Sequence, residues 1–114
     1  WNFEVLGPLM GFIAHASPWS EKAKRYVKFK QRVRLTANLA GVPDEIPDGM
    51  EASIYITVFW EKAAHCDLDN LIKALTDSCF KRDRMVAQVS ARRALNQERE
   101  AAIVYVTFRA KGEA

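Results

Sequence analysis

The stretch Ala52-Ser53-Ile54-Tyr55-Ile56-Thr57-Val58-Phe59-Trp60-Glu61 decides the fold, because its apolar side chains fall at every second position. Ile54, Ile56, Val58 and Trp60 share one face and Tyr55, Thr57 and Phe59 the other, which predicts a central strand with one face on a core. A few residues later Leu68, Leu71, Ile72, Leu75 and Cys79 recur at helical spacing, predicting a helix over Leu68 to Cys79. Trp60, on the strand's apolar face, reads as a core residue.

Upstream, Phe3 to Leu6 is a short apolar run stopped by Gly7-Pro8 and reads as a strand. Pro18 to Ala40 reads as a helix with Ser17 as N-cap, Pro18 at the first helical position, Glu21 on the N-terminal dipole and Gly41 as terminator. Trp19, Ala23, Tyr26, Val33, Ala37 and Ala40 form its expected apolar stripe. Val42 to Met50, with Pro43, Pro47 and Gly49, is a loop. Downstream, Val86 to Leu95 and Ala101 to Arg109 are rich in β-formers and flank the polar Asn96 to Glu100, which predicts an antiparallel hairpin. The order β-α-β-α-β-β implies an α+β class: two helices packed on one mixed sheet, in a single domain spanning 1–114. No internal repeat interrupts it.

At 114 residues, with 49% hydrophobic and 27% charged side chains, the chain has the composition of a folded globular domain and not of a disordered one. Its longest apolar stretch, Ile54 to Trp60, is far short of the roughly 20 residues a membrane span needs. No basic stretch leads into an apolar run and cleavage site, so no signal peptide is read; the chain opens on Trp1, and nothing is inferred about what precedes it. Cys66 and Cys79 form no CxxC pair and read as reduced thiols, which points to the cytoplasm. The net charge of +3 is unevenly spread. Between Ser20 and Arg34 seven basic residues (Lys22, Lys24, Arg25, Lys28, Lys30, Arg32, Arg34) outweigh Glu21 alone, a local +6. Between Lys81 and Arg93 five (Lys81, Arg82, Arg84, Arg92, Arg93) outweigh Asp83, a local +4. Both segments suit a polyanion.

Chemistry concentrates in Asp67-Leu68-Asp69-Asn70-Leu71-Ile72-Lys73, where the second helix opens just after the central strand. Asp67 falls at the N-cap, while Asp69, Asn70, Lys73 and Asp77 lie opposite the apolar stripe. Two carboxylates one residue apart repel unless a proton or cation intervenes, and Mg²⁺ favours such oxygens. The same residues also satisfy a purely structural reading, in which Asp67 caps the helix, Asp69 meets its dipole and Lys73 pairs with Asp69 at i, i+4, together for ~1 kcal/mol. Asp83, among Lys81, Arg82 and Arg84, either balances charge or lies near a phosphate path. His15 and His65 have no partner at metal-ligand spacing.

The run Asp67-Leu68-Asp69-Asn70-Leu71-Ile72-Lys73-Ala74-Leu75-Thr76-Asp77 resembles the D-L-D-N-L-x-K-x-x-x-D signature of the RusA family of Holliday-junction resolvases. These are small crossover junction endodeoxyribonucleases of bacteria, phages and prophages. The element order and the later Asp83-Arg84-Met85-Val86 are similar too, so the resemblance spans nearly the whole chain. It implies that Asp67, Asp69 and Asp83 bind Mg²⁺ (or Mn²⁺), that Lys73 is a catalytic base or charge stabiliser, and that Asn70 and Asp77 support the cluster. It further implies a homodimer that nicks two strands of a four-way DNA junction symmetrically, in recombination and repair. Lys22, Lys24, Arg25, Lys28, Lys30, Arg32, Arg82, Arg84, Arg92 and Arg93 would then grip backbone phosphates without reading much sequence. Arg82 stands where the family has a first of two acids, and Arg84-Met85 replaces its small or polar pair. A DNA-binding member that has lost cleavage, and a broader branched-DNA nuclease, are the alternative readings.

Overall fold

The computed structural model describes residues 1–11, 19–59, 68–82, 84–94 and 100–112. The elements are β1 (Asn2–Leu6), α1 (Glu21–Leu39), β2 (Met50–Phe59), α2 (Leu68–Cys79), β3 (Val86–Ala94) and β4 (Ala101–Ala110). They form one four-stranded mixed sheet, ordered β1-β4-β2-β3, with both helices packed on it. The α+β class and element order expected from the sequence therefore hold. No helix among the described residues is long and apolar enough to cross a membrane.

The expected hairpin does not form. β3 runs parallel to β2, reached through α2, while β4 lies antiparallel between β2 and β1. Composition explains the arrangement. Ala102, Val104 and Val106 of β4 are fully buried, as an interior strand requires, whereas β3 carries Gln88, Ser90, Arg92 and Arg93 exposed and has its register shifted by a bulge-like irregularity opposite Ala52/Ser53. A polar, irregular, charged strand belongs at an edge.

The core lies between one face of the sheet and the helices. Ala52, Ile54, Ile56 and Val58 of β2 are at most 2% exposed and meet Tyr26, Phe29, Val33 and Ala37 of α1 and Leu71, Ala74, Leu75 and Cys79 of α2 in one cluster. The α1 stripe departs from expectation at three positions. Phe29 belongs to it, Ala40 is exposed at the C-cap, and Trp19 is 83% exposed because the helix starts after it. The N-cap is Ser20 and not Ser17: its extended backbone and its Oγ, which accepts from the Ala23 N–H at 3.1 Å, satisfy a first-turn donor. Ser17 and Pro18 lie outside the described residues, as do Trp60, Glu61 and Leu95 of the expected strand ends.

Two long-range ties place the helices. Arg32 donates to the carbonyl oxygens of Gly7 (3.4 Å) and Pro8 (2.9 Å), anchoring the end of β1 to α1, and its guanidinium sits 5.4 Å from the Phe29 ring centre. Gly7 in turn donates its N–H to the Glu100 carbonyl at 2.8 Å, so close that a Cβ on residue 7 would lie 2.7 Å from that oxygen. Only glycine fits such an approach.

Candidate metal and nucleic-acid site

Three successive turns of α2 carry Asp69, Lys73 and Asp77 along one stripe, turned away from buried Leu71, Ala74, Leu75, Ser78 and Cys79. Asp69, Asn70 and Lys73 are exposed and Asp77 is half-buried. The stripe exists because the other side of this strongly amphipathic helix is consumed by the core. Asp69 sits in the first turn, where a carboxylate complements the helix dipole. Lys73 and Asp77 line a polar cleft of about 330 Å³ with Phe80 and Lys81.

Asp77 also reaches the junction of the helices. It lines an open groove of about 500 Å³ with Lys30 and Arg34 of α1, and its carboxylate, after burial, helps to hold the Tyr26 phenol above its ordinary pKa. Asp77 therefore lies close to α1 as well as to Lys73.

Asp67 and Asp83 lie outside the described residues, and so do His15, His65 and Cys66. Among the described residues no group of three His, Cys, Asp or Glu side chains could hold a metal ion. Asp69 is the one member of the expected triad that is placed. Its chemistry suits a hard cation, since an exposed carboxylate with a neighbouring acid in sequence supplies the oxygen donors that Mg²⁺ takes alongside water.

The basic residues divide into those that face solvent and those engaged within the fold. Lys22, Lys24, Arg25 and Lys28 are exposed along α1, or nearly so, with Lys24 within 3.5 Å of Glu21. Lys30 lies 5.0 Å over the Tyr26 ring, and Arg32 is committed to the Gly7 and Pro8 carbonyls. Arg34 donates Nε to the Ser78 carbonyl at 2.8 Å and lies 3.7 Å from Asp44, which also pairs with Lys81 at 3.8 Å. Arg92 and Arg93, both expected to grip backbone phosphates, fall on opposite faces of β3: Arg92 shares a row with Thr57, and Arg93 with Val58 of the core face.

One cationic contributor escaped the sequence reading. Arg82 and Arg84 line a hollow of about 360 Å³ with Lys111, beside Glu45 and Asp48. Lys111 is brought there because its N–H donates to the Gly49 carbonyl at 2.8 Å, a tie between segments some sixty residues apart that no local pattern announces. Cys79 is a free, fully buried thiol whose pKa burial pushes up to about 12. It is packing and not a nucleophile.

No family model matches this chain, and no curated protein matches it.

Proposed function

We propose that this chain is a metal-dependent, structure-selective endodeoxyribonuclease that resolves four-way DNA junctions by paired nicks, in the manner of the RusA family it resembles. The observation that carries the reading is the stripe Asp69–Lys73–Asp77, with Asp69 and Lys73 exposed and Asp77 half-buried, on a helix that follows the central strand. Basic side chains flank it on both sides: Lys30 and Arg34 across the helix groove, and Lys81 beside Lys73.

In this reading Asp67, Asp69 and Asp83 hold Mg²⁺, which supplies charge neutralisation at the scissile phosphate and water of lowered pKa. Lys73 stabilises charge on the phosphate or the leaving oxygen, one turn beyond Asp69. Arg25 and Lys28 on α1, with Arg82 and Arg84, hold backbone phosphates by charge, an interaction blind to base sequence. Asp77 orients Lys73 and tempers the positive field between the helices. Two copies of the chain would supply one active centre to each of two strands of like polarity.

The test compares the protein with Asp69→Asn on a labelled four-way junction, a fork and a linear duplex, with Mg²⁺ or with EDTA. Paired nicks on the junction alone, requiring metal and lost in the variant while binding persists, are the expected result. Equal cutting of fork and junction would establish the broader nuclease. Junction binding with no cutting under Mg²⁺ or Mn²⁺ would overturn the enzyme and leave a DNA-binding protein.

A further inference from the structure

The hollow that gathers Arg82, Arg84 and Lys111 is assembled from stretches far apart in the chain, fastened to one another by backbone hydrogen bonds. Lys81 donates its N–H to the Asp44 carbonyl at 2.9 Å, Ala52 to the Met85 carbonyl at 2.9 Å, and Lys111 to the Gly49 carbonyl at 2.8 Å. Between these ties the Met50 N–H closes a turn on the Pro47 carbonyl at 3.1 Å, with Gly49 at the left-handed φ of 81° that such a turn requires. The walls are thus held by the fold itself. The space between them, about 360 Å³, falls within the range of small-molecule sites.

Charge placement carries the argument for what enters it. Around the hollow the fold pairs its charges: Asp44 lies 3.7 Å from Arg34 and 3.8 Å from Lys81, and Glu51 lies 2.8 Å from Arg109. Across the hollow it does not. Among the described residues no ion pair joins Arg82, Arg84 or Lys111 to Glu45 or Asp48, although all of them line the same space. Opposite charges held apart around an open volume suit a ligand that answers both. Three cations, two of them planar guanidinium forks, match a phosphate. A surface built only to grip phosphate would gain nothing from two carboxylates, which repel it. Carboxylates accept from N–H groups, and Pro47 with half-buried Met85 offers an apolar face for a flat ring beside them. A phosphate joined to a flat ring with N–H donors is a nucleotide. Each base carries such donors on its pairing edge, and they are free only when no partner base occupies them.

We propose that this hollow binds a single unpaired nucleotide, its phosphate on Arg82, Arg84 and Lys111 and the pairing edge of its base on Glu45 and Asp48. This goes beyond the reading above, which gave Arg82 and Arg84 a backbone phosphate alone. The nucleotide is supplied either free or by a DNA strand opened at a branch, and a base still paired in a duplex is excluded because its edge is taken. The site also stands apart from Asp69: that residue opens α2, whereas Arg82 comes three positions after Cys79, the last residue of the helix.

Fluorescence titration of the full chain tests it with two probes, 2-aminopurine deoxyribonucleoside monophosphate and a trinucleotide with 2-aminopurine at its centre. Inorganic phosphate serves as competitor, and EDTA prevents cleavage. The proteins are wild type, Lys111→Ala and the double variant Glu45→Ala/Asp48→Ala, with circular dichroism to verify folding. The expected result is saturable binding of at least one probe to wild type, weakened about tenfold or more by Lys111→Ala and about fivefold or more by the double variant. The sign of the last change is decisive, because removing two negative charges strengthens a surface that binds phosphate alone. Unchanged or tighter nucleotide binding by the double variant, indifference to Lys111→Ala, displacement of the probe by an equal concentration of inorganic phosphate, or no saturable binding of either probe would each overturn the proposal. The probe that binds more tightly identifies the source, the monophosphate a free nucleotide and the trinucleotide an opened strand. Junction cutting that depends on Asp69 is measured separately, so failure here leaves the nuclease reading standing and failure there leaves this site standing.

Discussion

Arg34 donates its Nε–H to the carbonyl oxygen of Ser78, 2.8 Å away, and so ties the second half of α1 to the last turn of α2. That last turn contains no basic residue of its own, so the arginine supplies to its carbonyls what the helix lacks. The same guanidinium faces Asp44, whose Oδ1 is buried with no hydrogen bond and is held by charge across 3.7 Å.

Replacing Arg34 by Ala should cost about 2 kcal/mol, because it removes a charge-assisted hydrogen bond and leaves the Asp44 oxygen without its cation. Urea unfolding should show a lower midpoint at unchanged slope. Arg34→Lys should recover only part of the deficit, since an ammonium cannot serve both partners with a planar fork.

Gly7→Ala should destabilise by about 1–3 kcal/mol, since the new methyl would press on the Glu100 oxygen at 2.7 Å and on its Cβ at 2.9 Å. The thermal midpoint should fall by several degrees. Glu100→Ala would not relieve it, because the backbone oxygen remains.

Cys79 links stability to alkaline pH. Its folded pKa of about 12 stands above the 9.0 of a solvated thiol, so above pH 9 the unfolded chain gives up this proton first and unfolding becomes progressively easier. The contribution is intact below pH 9 and erodes as pH climbs toward 12, by roughly 1 kcal/mol per pH unit. Stability measured from about pH 8 to about pH 10.5 should slope less steeply downward in Cys79→Ala than in wild type, whatever the variant's starting level. Thiol reagents near pH 8 should modify Cys79 only in denaturant.

Arg25→Glu and Lys28→Glu should weaken binding to branched and linear DNA alike, for both side chains are exposed on α1 and are expected to meet only phosphate. Removing one phosphate-neutralising charge should lower the slope of log affinity against log salt by about 1. Arg32→Ala should act instead on stability, through the Gly7 and Pro8 carbonyls, and binding curves beside thermal melts would separate the two effects.

Periodicity revealed β2 and both helices, an apolar run before Gly7-Pro8 revealed β1 and β-former content revealed β3 and β4, and the α2 bounds, Leu68 to Cys79, coincide with those read from its apolar spacing. Strand order needed more. Val86–Ala94 and Ala101–Ala110 are consecutive strands with a polar connection, the local pattern of a hairpin, yet the deciding signal was the contrast between the charged face of one and the fully apolar inner face of the other. Pro18 after Ser17 imitated a helix start, although Ser20 followed by Glu21 makes the actual cap. Phe29 was hidden between Lys28 and Lys30. At the site, the stripe Asp69, Lys73, Asp77 was legible because it lies within one helix. Arg84 beside Lys111 depends on the approach of distant loops, which spacing along the chain does not encode, whereas the separation of Arg92 from Arg93 follows from strand alternation alone.

The antiparallel strand between β1 and β2 also sets the order in which the fold can be completed. β1 pairs within the described sheet only with β4, so it has no strand partner there until residues about a hundred positions later have been made. α1, β2, α2 and β3 can assemble from consecutive sequence, whereas β1 must wait for residues 101–110 to lie between it and β2. β4 is thus the keystone of the sheet: without it the β1-α1 and β2-α2-β3 units meet only through the packing of α1 on α2.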